Sequence, residues 1–141
     1  MRRKLFIGFL SFFVYCCSTT YAQSANDILG TYWSPDKDGK IKIFKNSGAY
    51  HGKLIWTSMP KKDVNNPDED LRQRDVQGIV FLKDFVYKDG KYRDGEIYDP
   101  KSGKTYSCEM WLEKGDLNVR GYIGFSFLGR TETFKRIEEQ P

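Results

Sequence analysis

The chain has 141 residues, with 23 basic and 19 acidic side chains and a formal net charge of +4. Three of the basic residues lie within the first four positions, so the rest of the chain is almost neutral. Nucleic-acid binding needs a clustered excess of positive charge, and this balance therefore argues against a nucleic-acid partner. A chain of this length suits one hydrophobic core and leaves no room for a second.

The first 22 residues have the three-part pattern of a secretory signal peptide. Basic residues at 2–4 precede an apolar run at 5–17, and a small-residue exit follows at 20–22. The run is too short to cross a hydrocarbon core of roughly 30 Å as a helix, so no transmembrane segment is expected in the mature chain. The prediction is a signal peptide over residues 1–22, cleaved near Ala22, and one domain over residues 23–141 that works in the periplasm or is secreted.

Cysteine usage allows no internal disulfide in that domain. Cys16 and Cys17 lie in the apolar run, which leaves Cys108 alone. The domain must then depend on its core for stability. Lipid attachment at Cys16 or Cys17 is the weaker alternative, because Tyr15 stands where a lipoprotein signal needs a small side chain.

Short strands joined by turns are predicted for the rest of the chain. A short helical turn is expected first, at residues 26–29, with Asn26 or Asp27 as its cap. The pair Asp89-Gly90 is a strong hairpin signal between two β-like runs. Period-two alternation and turn residues predict roughly eight or nine strands, at residues 40–45, 50–57, 78–87, 91–93, 105–112, 117–123, 124–129 and 131–137.

An antiparallel meander of about eight strands can close on itself and so remove its exposed edges. The fold class predicted is therefore all-β, a single up-and-down barrel, although alternation alone would also fit a sandwich. The interior of such a barrel holds either packed side chains or one small ligand. Tyr50, Gly52, Leu54 and Trp56 are expected to share one face of their strand. The aromatic residues fit a filled barrel and a lined pocket equally well.

One long polar segment, residues 59–75, interrupts the strand pattern. Its acids and amides suggest a calcium loop, but the glycine and closing glutamate of an EF-hand are missing. Asx turns that cap a short helix at residues 67–71 explain the same residues without a metal. Arg72 and Arg74 offer a cationic face for a ligand head group, or the end of a solvated loop.

Six motifs follow one another along the predicted mature chain: Asp-Val-Asn-Asn-Pro-Asp at 63–68, Leu-Arg-Gln-Arg at 71–74, Gly-Glu-Ile-Tyr-Asp-Pro at 95–100, Gly-Lys-Thr-Tyr-Ser-Cys at 103–108, Arg-Gly-Tyr-Ile-Gly at 120–124 and Gly-Arg-Thr at 129–131. In this order and at this spacing they resemble the bacterial exported family called domain of unknown function 2147. The resemblance covers nearly all of the predicted mature chain and implies a lipocalin-like β-barrel, without implying a reaction.

The resemblance also implies how one end of the barrel closes. In such barrels an aromatic residue after the first glycine packs against a late arginine. Tyr32 holds that aromatic position here, and Arg136 is its expected partner, with Arg130 as the second candidate. Members of the family often carry a cysteine pair near the second hairpin, and His51 stands at one of those positions, so no bridge is expected there.

No reaction class is supported by the residues. His51 is the only histidine and lies on the polar face of its strand, which argues against a zinc site and a catalytic triad. Cys108, in mid-strand among apolar residues, is expected to be a buried, inert thiol. Glu96 and Asp99 are the carboxylates considered for glycoside chemistry, but Asp99 fits a turn better. No cofactor is predicted.

The leading functional hypothesis is an exported, non-enzymatic carrier of a small apolar or amphipathic, lipid-like molecule. The rival is an envelope protein-interaction module with a filled barrel, acting through residues 59–75; an uncharacterised enzyme is third. The predicted ligand-binding residues are Tyr50, Leu54, Trp56, Tyr106, Met110 and Phe125 as the apolar wall, and Arg72, Tyr98, Arg120 and Arg130 near the mouth.

Overall fold

Eight strands follow one another along the chain, and the computed structural model describes residues 22–139. The predicted signal peptide lies outside the described residues, apart from Ala22. Residues 25–28 form hydrogen-bonded turns where a short helical turn was predicted. The strands are β1 (Gly30–Trp33), β2 (Gly39–Asn46), β3 (Ala49–Thr57), β4 (Val80–Lys88), β5 (Lys91–Asp99), β6 (Lys104–Glu113), β7 (Asp116–Tyr122) and β8 (Arg130–Arg136), with two single 3₁₀ turns at Glu69–Leu71 and Ser126–Leu128.

Each strand pairs with the next in antiparallel order, and β8 returns to β1, so the sheet is a closed barrel. The closing seam joins Tyr32 to Arg136 and Trp33 to Lys135. The predicted up-and-down barrel is confirmed, and the sandwich alternative is excluded. Among residues 22–139, no helix has the length and apolar character that a membrane span would require.

The two ends of the barrel are built differently. At the hairpin end, two-residue turns join β2 to β3, β4 to β5, and β6 to β7. In the predicted Asp89-Gly90 turn, both residues have positive φ, 51° and 78°, which suits the twist of a tight hairpin. At the loop end, the connections are longer: residues 34–38, 58–79, 100–103 and 123–129.

The core fills the barrel from the hairpin end upward. Two inward-facing glycines leave room for large side chains on neighbouring strands: Leu82 lies over Gly52, and the Phe85 ring lies over Gly95. Thirteen buried residues form one continuous cluster: Ile28, Tyr32, Ile41, Ile43, Tyr50, Leu82, Phe85, Tyr92, Cys108, Met110, Leu117, Val119 and Phe134.

Two details of the predicted strands are wrong. In β3 the register shifts between Lys40 and Ile41 of the partner strand, so Leu54 pairs with Ile41 but Trp56 pairs with Lys40. The extra residue turns Trp56 to the outer face, because a one-residue shift reverses the side on which later side chains point. Residues 124–129 are not a strand either; they form a loop with a 3₁₀ turn.

Candidate functional site

The hairpin end is closed by the segment that precedes the first strand. Ile28 of this segment is fully buried within the core. Four tyrosine hydroxyls from the barrel wall donate hydrogen bonds to the segment. Tyr32 bonds Ile28 O at 2.7 Å, Tyr50 bonds Asn26 Oδ1 at 2.9 Å, Tyr87 bonds Gln23 O at 2.9 Å and Tyr92 bonds Ala25 O at 2.7 Å.

Arg136 completes this closure, as the resemblance implies, and Arg130 does not take part. The Arg136 guanidinium lies 4.7 Å from the centre of the Tyr32 ring and donates a hydrogen bond to its hydroxyl. It also donates to Leu29 O at 3.2 Å and Asp27 O at 2.6 Å. Burial raises the pKa of Tyr32 to about 12 despite the nearby arginine, so its hydroxyl keeps its proton.

Two residues of β8 show that inner-face side chains reach solvent at the loop end, and this half of the barrel is therefore called the open half. Val119 lies in the core and pairs with Glu132, and Gly121, two residues on, pairs with Arg130. Paired residues in an antiparallel sheet share a face, so Glu132 and Arg130 stand on the inner face of the barrel. Their side chains are nevertheless 46% and 87% exposed, and they form an ion pair at 3.4 Å. Inner-face positions near this rim therefore meet solvent, whereas large inner-face side chains such as Tyr50, Tyr92 and Leu117 are buried toward the hairpin end.

Half-buried apolar side chains lie between this mouth and the filled core. Ile97 and Tyr106 are cross-strand partners on β5 and β6. Gly121 faces them: a Cβ on this glycine would meet Ile97 Cγ2 at 3.3 Å and Tyr106 Cβ at 3.9 Å. Leu54 of β3 also packs, partly buried, against the core cluster. Ile97, Tyr106 and Leu54 are therefore the apolar side chains nearest the charged pair on the inner face.

The long polar connection is tied to the sheet by a buried carboxylate. Asp63 is 0% exposed, and its Oδ1 accepts a hydrogen bond from the Tyr98 hydroxyl at 2.6 Å. Its Oδ2 accepts from Asn66 at 2.8 Å and from Arg74 Nε at 2.9 Å. Burial opposes ionisation of Asp63, but these donors outweigh it and hold the pKa of the carboxyl below its ordinary value.

Several other polar groups of the connection are also used within the chain. Asp68 caps the 3₁₀ turn by accepting from the Asp70 amide at 3.0 Å, in line with the predicted Asx turns. Arg72 donates to Asn66 O at 2.9 Å rather than standing free, and Asn65 donates to Lys101 O at 2.9 Å. Within residues 22–139, no three His, Cys, Asp or Glu side chains are placed to hold a metal ion.

Of the residues considered for catalysis, the Cys108 thiol is buried and the His51 ring is engaged in contacts. Cys108 is 0% exposed, as predicted. Burial, and then the charge of Glu109, raise the pKa of its thiol to about 12. His51 Nδ1 accepts a hydrogen bond from the Asp84 amide at 3.3 Å, and its ring stacks on Phe44.

The predicted ligand-binding residues occupy five different regions. Tyr50 and Met110 belong to the filled core, and Leu54, Tyr106 and Arg130 line the open half. Trp56 lies outside, 5.8 Å from the Trp33 ring. Arg72 and Tyr98 belong to the Asp63 network. Phe125 lies in the loop between β7 and β8, and Arg120, on β7, donates hydrogen bonds to that loop.

Two of the clefts formed by residues 22–139 contain no predicted ligand-binding residue. One, of about 550 Å³, is lined by Arg74, Asp75, Gln77, Gly78, Ile79, Val80 and Lys83. The other, of about 330 Å³, is lined by Leu29, Gly30, Thr31, Arg136, Ile137, Glu138 and Glu139.

Sequence reasoning missed Ile97 and Glu132. Ile97 lies two residues after the inward-facing Gly95, and Glu132 lies two residues before Phe134. Period-two alternation along each strand therefore indicates that both face inward.

Residues 30–136 match the family described as "Uncharacterized protein conserved in bacteria (DUF2147)". A solved structure of protein HP1028 from the human pathogen Helicobacter pylori, described as belonging to the lipocalin family, superposes with a TM-score of 0.73. The two chains are 29% identical, and the match covers 79% of this chain and 84% of that one. No curated protein sequence matches the chain.

Proposed function

The chain belongs to the bacterial family DUF2147 and folds as a lipocalin-like barrel, and from this we propose that it binds one small apolar or amphipathic molecule in the loop-end half of the barrel. The observation that carries the proposal is the contrast between the two halves. The large side chains Tyr50, Tyr92 and Leu117 are buried toward the hairpin end, whereas Arg130 on the inner face is 87% exposed at the loop end.

The chemistry of the open half suits such a ligand. Ile97, Tyr106 and Leu54 supply apolar surface, and Arg130 supplies a cation at the mouth for a polar or acidic head group. Binding sites for small molecules commonly combine an apolar lining with a few placed polar groups. Because Phe85 and Leu82 occupy the space over Gly95 and Gly52, the ligand is short, or its tail displaces these side chains.

Native mass spectrometry tests this proposal, with the protein isolated gently from the cells that make it and its organic extract analysed in parallel. A discrete added mass that is lost on extraction is the expected result. A bare protein mass, together with no uptake from a panel of fatty acids and lysophospholipids, would contradict the proposal.

Two variants locate the site. Ile97→Trp fills the open half and should abolish uptake, whereas Val86→Trp, at an exposed position on β4, should leave uptake unchanged. Arg130→Gln, on a side chain with no part in the core, should weaken binding of acidic ligands about tenfold while the melting temperature stays the same. Equal uptake by all three variants and the wild type would place the ligand elsewhere.

The proposal includes export and excludes a reaction. Export rests on the basic, apolar and small-residue pattern of residues 1–22, and is tested by cell fractionation and by sequencing the N-terminus, which should begin near Gln23. Binding without turnover is supported by the buried Cys108 thiol and the engaged His51 ring. Conversion of the bound molecule to a product, lost in His51→Ala, would contradict it.

A further inference from the structure

The loop between β7 and β8 exposes four large apolar side chains on the rim of the open end. The two phenylalanine rings stack on each other, with centroids 5.6 Å apart, instead of packing onto the barrel. A contiguous exposed apolar group of this kind marks an interaction surface. The exposed fractions are 77% for Ile123, 67% for Phe125, 74% for Phe127 and 69% for Leu128.

Three backbone carbonyls of the same loop accept hydrogen bonds from within the chain. Phe125 O accepts from the Leu128 amide at 3.1 Å, and Ser126 O accepts from the Gly129 amide at 3.1 Å. Arg120 donates to Ser126 O and to Phe127 O, the latter at 3.0 Å. A loop in water needs no such internal partners, because water supplies them, but a loop in hydrocarbon does.

The distribution of charged residues around this loop is also compatible with a position at a membrane surface. Residues 121–129 contain no acidic or basic side chain, and Arg130 stands at the base of the loop with 87% of its side chain exposed. Arg130 pairs with Glu132 at 3.4 Å, so the base of the loop carries charges of both signs. An apolar tip above a charged base matches the outer layer of a bilayer, where acyl chains lie beneath polar head groups.

We propose that residues 123–128 insert into the interfacial layer of a lipid bilayer and dock the loop end of the barrel on the membrane surface. Docking does not require the barrel to hold a ligand. If the barrel does hold one, as proposed above, its mouth faces the membrane while docked. Ligand uptake and membrane docking are measured separately, so either can fail alone.

Co-sedimentation with vesicles of phosphatidylethanolamine and phosphatidylglycerol tests the proposal on the intact protein isolated from its host. The wild type should bind, and each of Phe125→Ser and Phe127→Ser should lower the partition coefficient about tenfold. Both side chains are exposed, so the melting temperature should not change. The matched control is Val86→Ser, which removes a 52% exposed apolar side chain from β4 and should bind as the wild type does.

A second measurement reports insertion directly. Phe127→Trp adds a tryptophan to the loop, and lipids brominated near the top of the acyl chain should quench its emission beyond the quenching seen with the wild type. A variant that combines Phe125→Ser with Phe127→Ser should bind vesicles most weakly. No vesicle binding by the wild type, or equal binding by the wild type and this double variant, would overturn the proposal. The proposal would also be overturned if the wild type does not bind vesicles but binds a protein partner, and the loop variants lose that partner.

Discussion

The Tyr98 hydroxyl donates a 2.6 Å hydrogen bond to Asp63 Oδ1, joining the long polar connection to the end of β5. The same carboxylate pairs with Arg74 at 2.8 Å. Three of the motifs that mark the family therefore meet at one buried charge, and the role of that charge is to hold the connection against the barrel.

Replacing this carboxylate should destabilise the fold in a pH-dependent way. Asp63→Asn should lower the free energy of unfolding by about 2 kcal/mol at pH 7, because hydrogen bonds to a buried charge are lost. The pKa of Asp63 is lowered in the folded state, so its stabilisation is complete above the ordinary value of 3.8 and is lost as the pH falls below it.

Urea titrations of the two proteins between pH 3 and pH 7 measure this effect. The difference between wild type and Asp63→Asn should shrink below about pH 4. Asp70→Asn, at an exposed position of the same connection, serves as the control and should show little loss at any pH. A difference that stays constant down to pH 3 would contradict the role given to the ionised carboxylate.

Arg136 should be worth more to stability than any other arginine near the barrel ends. Arg136→Gln removes the contact with the Tyr32 ring and the hydrogen bonds to Leu29 O and Asp27 O, and should cost about 2–3 kcal/mol. Thermal melts check this, with Arg130→Gln expected to melt as the wild type does. Arg136→Lys should not restore stability, because an ammonium cannot reproduce the planar fork of the guanidinium.

Two inward-facing glycines should respond differently to alanine. A Cβ at Gly95 would overlap the Phe85 ring, so Gly95→Ala should cost about 2–3 kcal/mol. At Gly121 the nearest atom is 3.3 Å from the added Cβ, and the cost should stay below about 1 kcal/mol. Denaturant unfolding compares them, and Phe85→Leu should recover part of the loss in Gly95→Ala. Equal costs would mean that the two halves of the barrel are equally filled.

The Cys108 thiol should be protected in the native protein. It is buried, with its pKa raised to about 12, so iodoacetamide at pH 8 should label it only as fast as the barrel opens. Mass spectrometry of the peptide that contains Cys108 separates this signal from the other cysteines. Labelling in native buffer at the rate of a free thiol would show that β6 is not held as the structure describes.

Much of the fold could be predicted because the turns and the alternation carry local signals. Asp89-Gly90 fixes a hairpin, and the apolar pattern of β6 and β7 fixes which residues face inward. The position of Trp56 could not be predicted, because nothing in Leu54-Ile55-Trp56 marks the bulge that turns it outward. Phe125 resembled a strand residue, although Gly124 and Gly129 around it signal a loop.

The state of the interior depends on contacts between strands that no single segment reveals. That Gly52 and Gly95 lie beneath Leu82 and Phe85 follows from the register between strands, so the sequence left open whether the barrel is filled. In the structure the two halves of the barrel differ. Side chains pack the hairpin end, whereas Arg130 and Glu132 are exposed on the inner face at the loop end.

The hairpin end of this barrel is closed by residues 23–29, and Arg136 near the end of β8 holds that segment in place. Arg136 holds the carbonyls of Asp27 and Leu29 across more than a hundred residues. Bringing these distant segments together costs loop-closure entropy before the contact contributes any stability. The contact forms only after β8 has joined the sheet. Folding should therefore be slow, in the range of milliseconds to seconds, with sealing of the hairpin end as its last step. A chain truncated immediately before Arg136 would retain nearly all of its strand residues but lose the contacts that close the hairpin end.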